Sequence, residues 1–283
     1  NEHTILLAND LDALLPNYLL AKKLNIPLVF DSHEIFSEMP AVQGKISQKL
    51  WRYLQNKIVP NLKFMITASG SYAKWFQNKY GIEPIVVQNA SRKIDFSIEI
   101  PENSPKILLY QGALNPFRGI DKAILAMHHL ENVIFKIAGD GPMKKEYEDL
   151  VIKENLQDKV QFLGKLLPED LREITLTADV GMSIEENGGE SYEFSLPNKV
   201  LDCIQARVPL ILSLLPEMLN IKNQFDVGEI IKNHQPENIA AAVNLVLNKG
   251  RKNYQSELEK ASEILCWENE EVKLLEVFEK ASL

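Results

Sequence analysis

The chain has 283 residues, 45% hydrophobic and 25% charged, with Gly 13 and Pro 14. That composition gives room for two cores and excludes collagen-like or low-complexity classes. A net charge of −8 argues against a general nucleic-acid partner, and two cysteines (Cys203 and Cys266) are too few for a disulfide framework, so a reducing, cytoplasmic compartment is expected.

The chain opens Asn1-Glu2-His3, without Met or a signal-peptide pattern, which reads as a missing native N-terminus. Short Val/Ile-rich runs then alternate with longer amphipathic segments, the pattern of βα units around a parallel sheet. Strands are predicted at Thr4 to Ala8, Pro27 to Asp31, Phe64 to Ala68 and Ile85 to Gln88. Helices are predicted at Ala13 to Leu24, Ser47 to Ile58 and Ser71 to Tyr80, the last with turn and cap chemistry from Ser69-Gly70-Ser71. His33 stands at a strand's carboxyl end, in Asp31-Ser32-His33-Glu34, the only histidine in such a setting; a lone His there is also compatible with a structural role. No nucleophile elbow surrounds it, which speaks against a hydrolase triad.

Charge is uneven. From Met39 to Ile82 there is no Asp or Glu, and seven cations (Lys45, Lys49, Arg52, Lys57, Lys63, Lys74 and Lys79) give +7. Leu50, Trp51, Tyr53, Leu54 and Ile58 interleave with them at helical spacing. Such a helix can lie on an anionic membrane surface, or be a solvated basic face with Trp51 in the core.

Residues Ile94 to Lys106 hold Pro101, Pro105, Asn103, Ser97 and Ser104 with little periodicity, and read as a linker. The alternation then restarts. Strands are predicted at Ile107 to Tyr110, Val133 to Ala138, Val160 to Leu163, Val180 to Ile184, Leu210 to Leu212 and Glu229 to Ile231. Helices are predicted at Ile120 to Leu130, Met143 to Asn155, Pro168 to Ala178, Asn198 to Ala206, Pro236 to Leu247 and Glu268 to Ala281. Two doubly wound domains imply a cleft, with ligands beyond the strands' carboxyl ends.

Three loops after strands carry candidate chemistry. Gly112 ends one strand, where a missing side chain lets a ligand approach backbone. Arg118, just before the next helix, is an always-charged donor suited to phosphate. A strand–Gly–helix turn is structural about as often as it binds a ligand. Gly139-Asp140-Gly141-Pro142 makes a tight turn, with Asp140 either on the cleft side or simply a turn and N-cap residue. The long polar loop from Glu185 to Lys199 follows a buried strand and ends at a helix start. Ser195 is expected to cap that helix, Pro197 lacks an N–H, and the free amides suit a diphosphate. Asn198 and Asp202 share a helix face; Asp202 can accept from a ribose diol and Lys199 can neutralise phosphate.

With those residues in view, the sequence resembles the retaining glycosyltransferases of group 1 (family 4). Gly112 to Gly119 is similar to the family's strand–Gly segment, with Arg118 at the basic position. Gly139-Asp140-Gly141-Pro142 matches its Gly–Asp–Gly–Pro turn. Val160 to Gly164 and Ala178-Asp179-Val180 follow in the family's order. Ser195-Leu196-Pro197-Asn198-Lys199-Val200-Leu201-Asp202 resembles its Pro–x–Lys–x–x–Glu segment, ahead of Val208-Pro209-Leu210. Asp31-Ser32-His33-Glu34 resembles its Asp–x–His–Glu, and Trp267 with the last helix its C-terminal helix. The departures are Asp202 in place of Glu, Phe194 at the position eight earlier where the first acid stands (Glu190 or Glu193 being the candidate substitutes), Ala113 in place of a second basic residue, and only four strands before the linker.

The resemblance implies a GT-B fold: an α/β protein of two Rossmann-like, doubly wound parallel-sheet domains, the N-terminal one incomplete. Residues 1–95 with 266–283 would form the acceptor side and 106–265 the donor side. It implies a retaining, metal-independent transfer of a sugar from a nucleotide-diphosphate sugar to a glycan or lipid-linked acceptor, with no cofactor. Arg118 and Lys199 would hold the diphosphate, and His33 would orient the transferred sugar. Gly112, Asp140, Gly141, Ser195, Leu196, Asn198 and Asp202 would line the donor site. The expected partners are the donor, the acceptor and an anionic membrane surface met through residues 39–82. A non-catalytic nucleotide-sugar-binding module and a sugar-nucleotide epimerase are the rival readings.

Overall fold

A computed structural model describes residues 4–95 and 97–283, so Asn1, Glu2 and His3, named in the sequence reading, and Phe96, within the expected linker, lie outside the described residues. The chain divides into two units: the first holds residues up to Asn89 with Asn187–Leu196 and Trp267–Leu283, the second Ala90–Glu186 with Pro197–Cys266.

In the first unit, β1 (Leu6–Asn9), α1 (Asp10–Leu24), β2 (Leu28–Ser32), α2 (Ile46–Ile58), β3 (Phe64–Thr67), α3 (Gly70–Tyr80) and β4 (Ile85–Val86) follow one another. The strands pair in parallel in the order β1-β2-β3-β4. Strand alternation sorts side chains to two faces. Leu28, Phe30 and Met65 join one cluster with Leu11 and Leu14 of α1, Ile58 of α2 and Phe76 of α3. Val29, Ile66 and Phe64 join the other. Ser69 caps α3 by accepting from the Tyr72 N–H at 3.1 Å, as its sequence suggests, and Gly81 closes that helix in the left-handed conformation.

The second unit runs β5 (Lys106–Gln111), α4 (Ile120–Ala126), β6 (Val133–Ala138), α5 (Lys144–Lys153), β7 (Val160–Gly164), α6 (Pro168–Thr177) and β8 (Val180–Ser183). The chain then forms α7 (Glu190–Glu193), which groups with the first unit, before the second unit resumes with α8 (Asn198–Gln205), β9 (Leu210–Leu212), α9 (Pro216–Gln224), β10 (Gly228–Ile230), α10 (Pro236–Lys249) and α11 (Gln255–Ile264). The last helix, α12 (Trp267–Ser282), returns to the first unit, where Val277 and Ala281 pack with Val29 and Ile66.

The second sheet is fully parallel, in the order β10-β9-β8-β5-β6-β7. Strand order therefore reverses between β5 and β8, a topological switch point whose crevice opens at the carboxyl ends of those two strands. Leu108, Leu109 and Tyr110 of β5 and Val180 and Met182 of β8 are buried, as expected of strands covered on both faces. Each such side chain contributes about 2 kcal/mol through burial. Buried Asp179 fastens the preceding connection: it accepts from the Ile107 N–H at 2.8 Å, from Asn103 Nδ2 at 2.8 Å and from Lys106 Nζ at 3.0 Å.

The grouping differs from the ranges expected from sequence on both sides: residues 90–95 and Cys266, expected in the first unit, group with the second, and residues 187–196, expected in the second, group with the first. Segment 187–196 groups with the first unit because that unit's α3 region holds its backbone. Ser69 Oγ donates to the Phe194 carbonyl at 2.8 Å, Tyr72 OH to the Ser191 carbonyl at 2.6 Å, and Trp75 Nε1 to Glu190 Oε2 at 2.8 Å.

Candidate active site

The loops after β5 and β6 are built as one backbone unit. Gly112 N–H donates to the Ala138 carbonyl at 3.0 Å, Leu114 N–H to the Asp140 carbonyl at 3.0 Å, and Met143 N–H to the Leu114 carbonyl at 3.0 Å. Gly139 has φ +150°, and a Cβ there would lie 1.9 Å from the Gly112 oxygen. A Cβ at Gly141 would lie 2.7 Å from the Leu114 nitrogen and oxygen. The Gly-Asp-Gly-Pro run is thus required by contact between two strand ends. Asp140 is not the helix cap that its sequence allowed. Its Oδ1 accepts from the Gly141 N–H at 2.7 Å and its Oδ2 lies 3.5 Å from Lys144 Nζ, while α5 starts at Lys144 behind an N-cap at Met143.

The turn before α4 is tied to the end of β8 by the Glu186 N–H, which donates to the Phe117 carbonyl at 2.9 Å. That bond carries Arg118 to Glu185, with its guanidinium 3.7 Å from Oε1. Lys199, in the first turn of α8, reaches the same oxygen: its Nζ and Glu185 Oε1 form a direct ion pair. Lys199 Nζ also sits 5.1 Å from the centre of the Tyr110 ring. Its Cε is 3.5 Å from where a Gly112 Cβ would be, an ordinary van der Waals distance, so the φ of +135° rather than lack of space calls for glycine there. The two predicted phosphate cations and Gly112 are therefore brought together at the switch point.

The residue that joins them was not assigned a role from sequence. Glu185 is completely buried. Ser183 Oγ donates to its Oε2 at 2.8 Å and Ser213 Oγ to its carbonyl at 2.6 Å. His234 Nε2 lies 3.0 Å from the neighbouring Ile184 carbonyl. Burial works to raise the Glu185 pKa, but the charges of Lys199 and then Arg118 outweigh it and hold the group below the usual carboxylate range. Burial pulls the Lys199 pKa down, against the opposing pull of Glu185. The available signal was an acid directly after an apolar strand; nothing local marked Ser213 or His234 as its supports.

Asp202, one turn along α8, faces the other side of β5. Its Oδ1 accepts from Ser91 Oγ, and its Oδ2 from Gln111 Nε2 at 2.8 Å. Burial raises its pKa, opposed by the hydrogen bonds from Ser91 and Gln111. With Ser91, Gln111, Leu171, Arg172 and Gln205 it lines a cavity of about 240 Å3 within the second unit. Gln205 donates through Nε2 to the Ser262 and Leu265 carbonyls at 2.8 and 3.0 Å, and its buried Oε1 has no hydrogen-bond partner. Asn198 is exposed at the start of α8.

Ser195 does not cap α8. Its hydroxyl donates to the Tyr192 carbonyl at 2.9 Å, the N-cap position is Pro197, and no side chain caps the helix. A proline N-cap shifts the helix start one residue beyond Pro197 and leaves Ser195 inside the preceding turn. Ser195 and Leu196 group with the first unit, as does His33. There, His33 Nε2 lies 3.2 Å from Asp31 Oδ2, and its N–H donates to Asp10 Oδ1 at 3.0 Å. The hydrogen bond to Asp31 raises the His33 pKa, and burial raises that of Asp10. Asp10 and Asp31, unassigned from sequence, thus complete a polar corner at the carboxyl ends of β1 and β2. Among the described residues, no three His, Cys, Asp or Glu side chains gather where they could hold a metal ion.

Two Rossmann-like parallel-sheet units in series, the second with its cations at the switch point, define a protein of the GT-B fold class. Sucrose-phosphate synthase (tll1590) from Thermosynechococcus elongatus superposes with a TM-score of 0.79 at 15% identity, over 98% of this chain and 73% of that one. The Anabaena protein Alr3699/HepE in complex with UDP-glucose superposes with a TM-score of 0.77 at 16% identity, over 98% and 78%. The profile of the family described as "Glycosyl transferases group 1" matches residues 91–263, and the chain belongs to that family. MJ1607 of Methanocaldococcus jannaschii, an uncharacterized glycosyltransferase, is 28% identical over 162 residues, 55% of this chain and 40% of that relative. The chain thus spans less than half the length of this curated relative.

Proposed function

We propose that the protein is a retaining glycosyltransferase that moves a sugar from a nucleotide-diphosphate sugar to a glycan or lipid-linked acceptor without a metal ion. The observation that supports this most directly is the convergence of Lys199 and Arg118 on one point at the carboxyl end of β8. Breaking the anomeric carbon–oxygen bond sends an electron pair to the departing diphosphate. Two fixed cations and the uncapped start of α8 stabilise that charge without reorganising. Asp202 keeps lone pairs beyond those used by Ser91 and Gln111, and they suit the hydroxyls of a ribose seated in the adjoining cavity. The UDP-glucose bound by Alr3699/HepE is a donor of this class. His33, held by Asp31, is assigned to the sugar's hydroxyls.

The acceptor would be met at the first unit, and an anionic membrane surface, met through residues 39–82, would bring a lipid-linked one within reach. No described helix is long and apolar enough to cross a membrane. We place the reaction in the cytoplasm, at the membrane face.

The test is a thermal-shift screen of nucleotide-diphosphate sugars, followed by donor turnover. A ligand at a hundred times its Kd raises stability by about 2.7 kcal/mol. Stabilisation with turnover, both lost in the Arg118→Ala/Lys199→Ala double variant, is the expected result. Stabilisation without turnover would make the chain a binding module, and full activity in the double variant would exclude the site.

A further inference from the structure

One face of α3 lines a hollow of about 440 Å3 within the first unit. Ser71, Lys74, Trp75 and Asn78 stand at i, i+3, i+4 and i+7 and so share that face. Lys79 joins them, and Phe194, from the 187–196 segment that groups with this unit, completes the wall. Phe194 is the ring found where the family pattern has its first acid. The hollow falls within the range of about 300–1,000 Å3 usual for small-ligand sites.

Trp75 is held as a fixed plate. Its Nε1 donates to Glu190 Oε2 at 2.8 Å, and Lys79 Nζ lies 4.2 Å from the ring centre. Phe76 and Tyr80 meet it edge-on, with centroids 5.0 and 5.9 Å away. A ring fixed beforehand gives up little freedom when a ligand arrives. The charges nearby are already answered. Lys79 lies 3.8 Å from the buried carboxylate of Glu38, which Arg52 also binds, and Glu190 adds a negative charge beside the indole. Lys74 and Asn78 are exposed. Asn78 can both donate and accept, Lys74 donates, and the Ser71 hydroxyl can do either.

We infer that this hollow is a subsite for a neutral pyranose of the acceptor glycan. Such a subsite rests on the glycan-acceptor reading given above, but not on the donor-site cations. A pyranose presents a patch of weakly positive C–H bonds edged by hydroxyls. The patch suits the negative faces of aromatic rings such as Trp75 and Phe194. The hydroxyls suit Ser71, Lys74 and Asn78. A phosphate or nucleotide fits less well, because Lys79 is engaged by Glu38 and the carboxylate of Glu190 would repel it.

The experiment is saturation-transfer-difference NMR on the full chain, without donor, with cellotriose, maltotriose or triacetylchitotriose as the probe and AMP as the comparison. Saturation is expected on the ring C–H protons of at least one of the three sugars. Trp75→Ala should weaken that binding at least about tenfold, and Trp75→Phe, which keeps an aromatic plate, should restore most of it. Asn78→Ala should weaken it about fivefold. Circular dichroism checks that the variants fold, and Asn78→Ala, altered only at an exposed side chain, suffices if Trp75→Ala does not. No saturation of any of the three sugars, or unchanged saturation in the Ala variants, would overturn the inference. So would a stronger signal from AMP, which would make a stacked base the occupant. Donor turnover by the parent chain, read separately, keeps the two readings apart. Sugar binding without turnover leaves the subsite and removes the transferase, whereas turnover without sugar binding removes the subsite alone.

Discussion

Lys199 and Glu185 form an ion pair in which the carboxylate is fully buried and the lysine side chain is 8% exposed, with Arg118 3.7 Å from the same oxygen. Two cations are held by one internal anion where the fold's crevice opens. Without that anion, two positive charges would share a buried corner.

The pair is predicted to be costly to break and much cheaper to remove whole. Glu185→Gln, and separately Lys199→Met, should each lower unfolding free energy by about 3 kcal/mol or more, because each strands a buried charge. The double variant should recover much of that loss. Urea unfolding of the four proteins gives the coupling, and strictly additive losses would show that the two side chains act independently.

On the proposed function, with UDP as the probe nucleotide, Asp202→Asn should weaken binding about tenfold, the value of one charge-assisted hydrogen bond, while binding of 2′-deoxy-UDP should lose less. Calorimetry with the two nucleotides makes the comparison. An equal loss for both would place the carboxylate away from the ribose.

The contact between strand ends predicts a contrast between two glycines. Gly139→Ala puts a methyl 1.9 Å from the Gly112 oxygen and should cost about 3 kcal/mol. Gly164→Ala, at φ +70° with open space around it, should cost only about 1–2 kcal/mol for the left-handed backbone. Denaturant midpoints read both.

His33 has a clear pH signature. Its folded pKa is raised by Asp31, so the stability contributed by protonated His33 is complete below its unfolded value and is lost as pH rises through the higher folded one. A proton NMR titration should show His33 deprotonating above the ordinary histidine range, and Asp31→Asn should bring it down. No downward movement in that variant would remove Asp31 as the cause.

Helix α7 and helices α9 and α11 were not foreseen from sequence, for different reasons. α7 is a single turn inside a polar, glycine-containing loop, held by hydrogen bonds from Tyr72 and Trp75 rather than by its own periodicity. α9 starts at Pro216, with three residues between it and the buried β9, and α11 follows a short turn at Arg251–Tyr254 just past the end of α10; neither breaks the surrounding pattern enough to stand out. The capping expectations for Ser195 and Asp140 failed because each side chain found a closer partner, the Tyr192 carbonyl and the Gly141 amide, before the helix began.

What the amino-acid order determined by itself was local. Apolar runs of strand length alternating with amphipathic helices gave the two parallel sheets, and residues at strand ends nominated Gly112, Arg118, Lys199 and Asp202. Periodicity reports which side of an element is buried, but not which strands lie side by side. The placement of β8 next to β5, which sets Glu185 between Arg118 and Lys199 and Gln111 against Asp202, is a pairing between distant parts of the chain. Only the packed sheet decides it, because strand order is settled by how whole βα units stack around a common core.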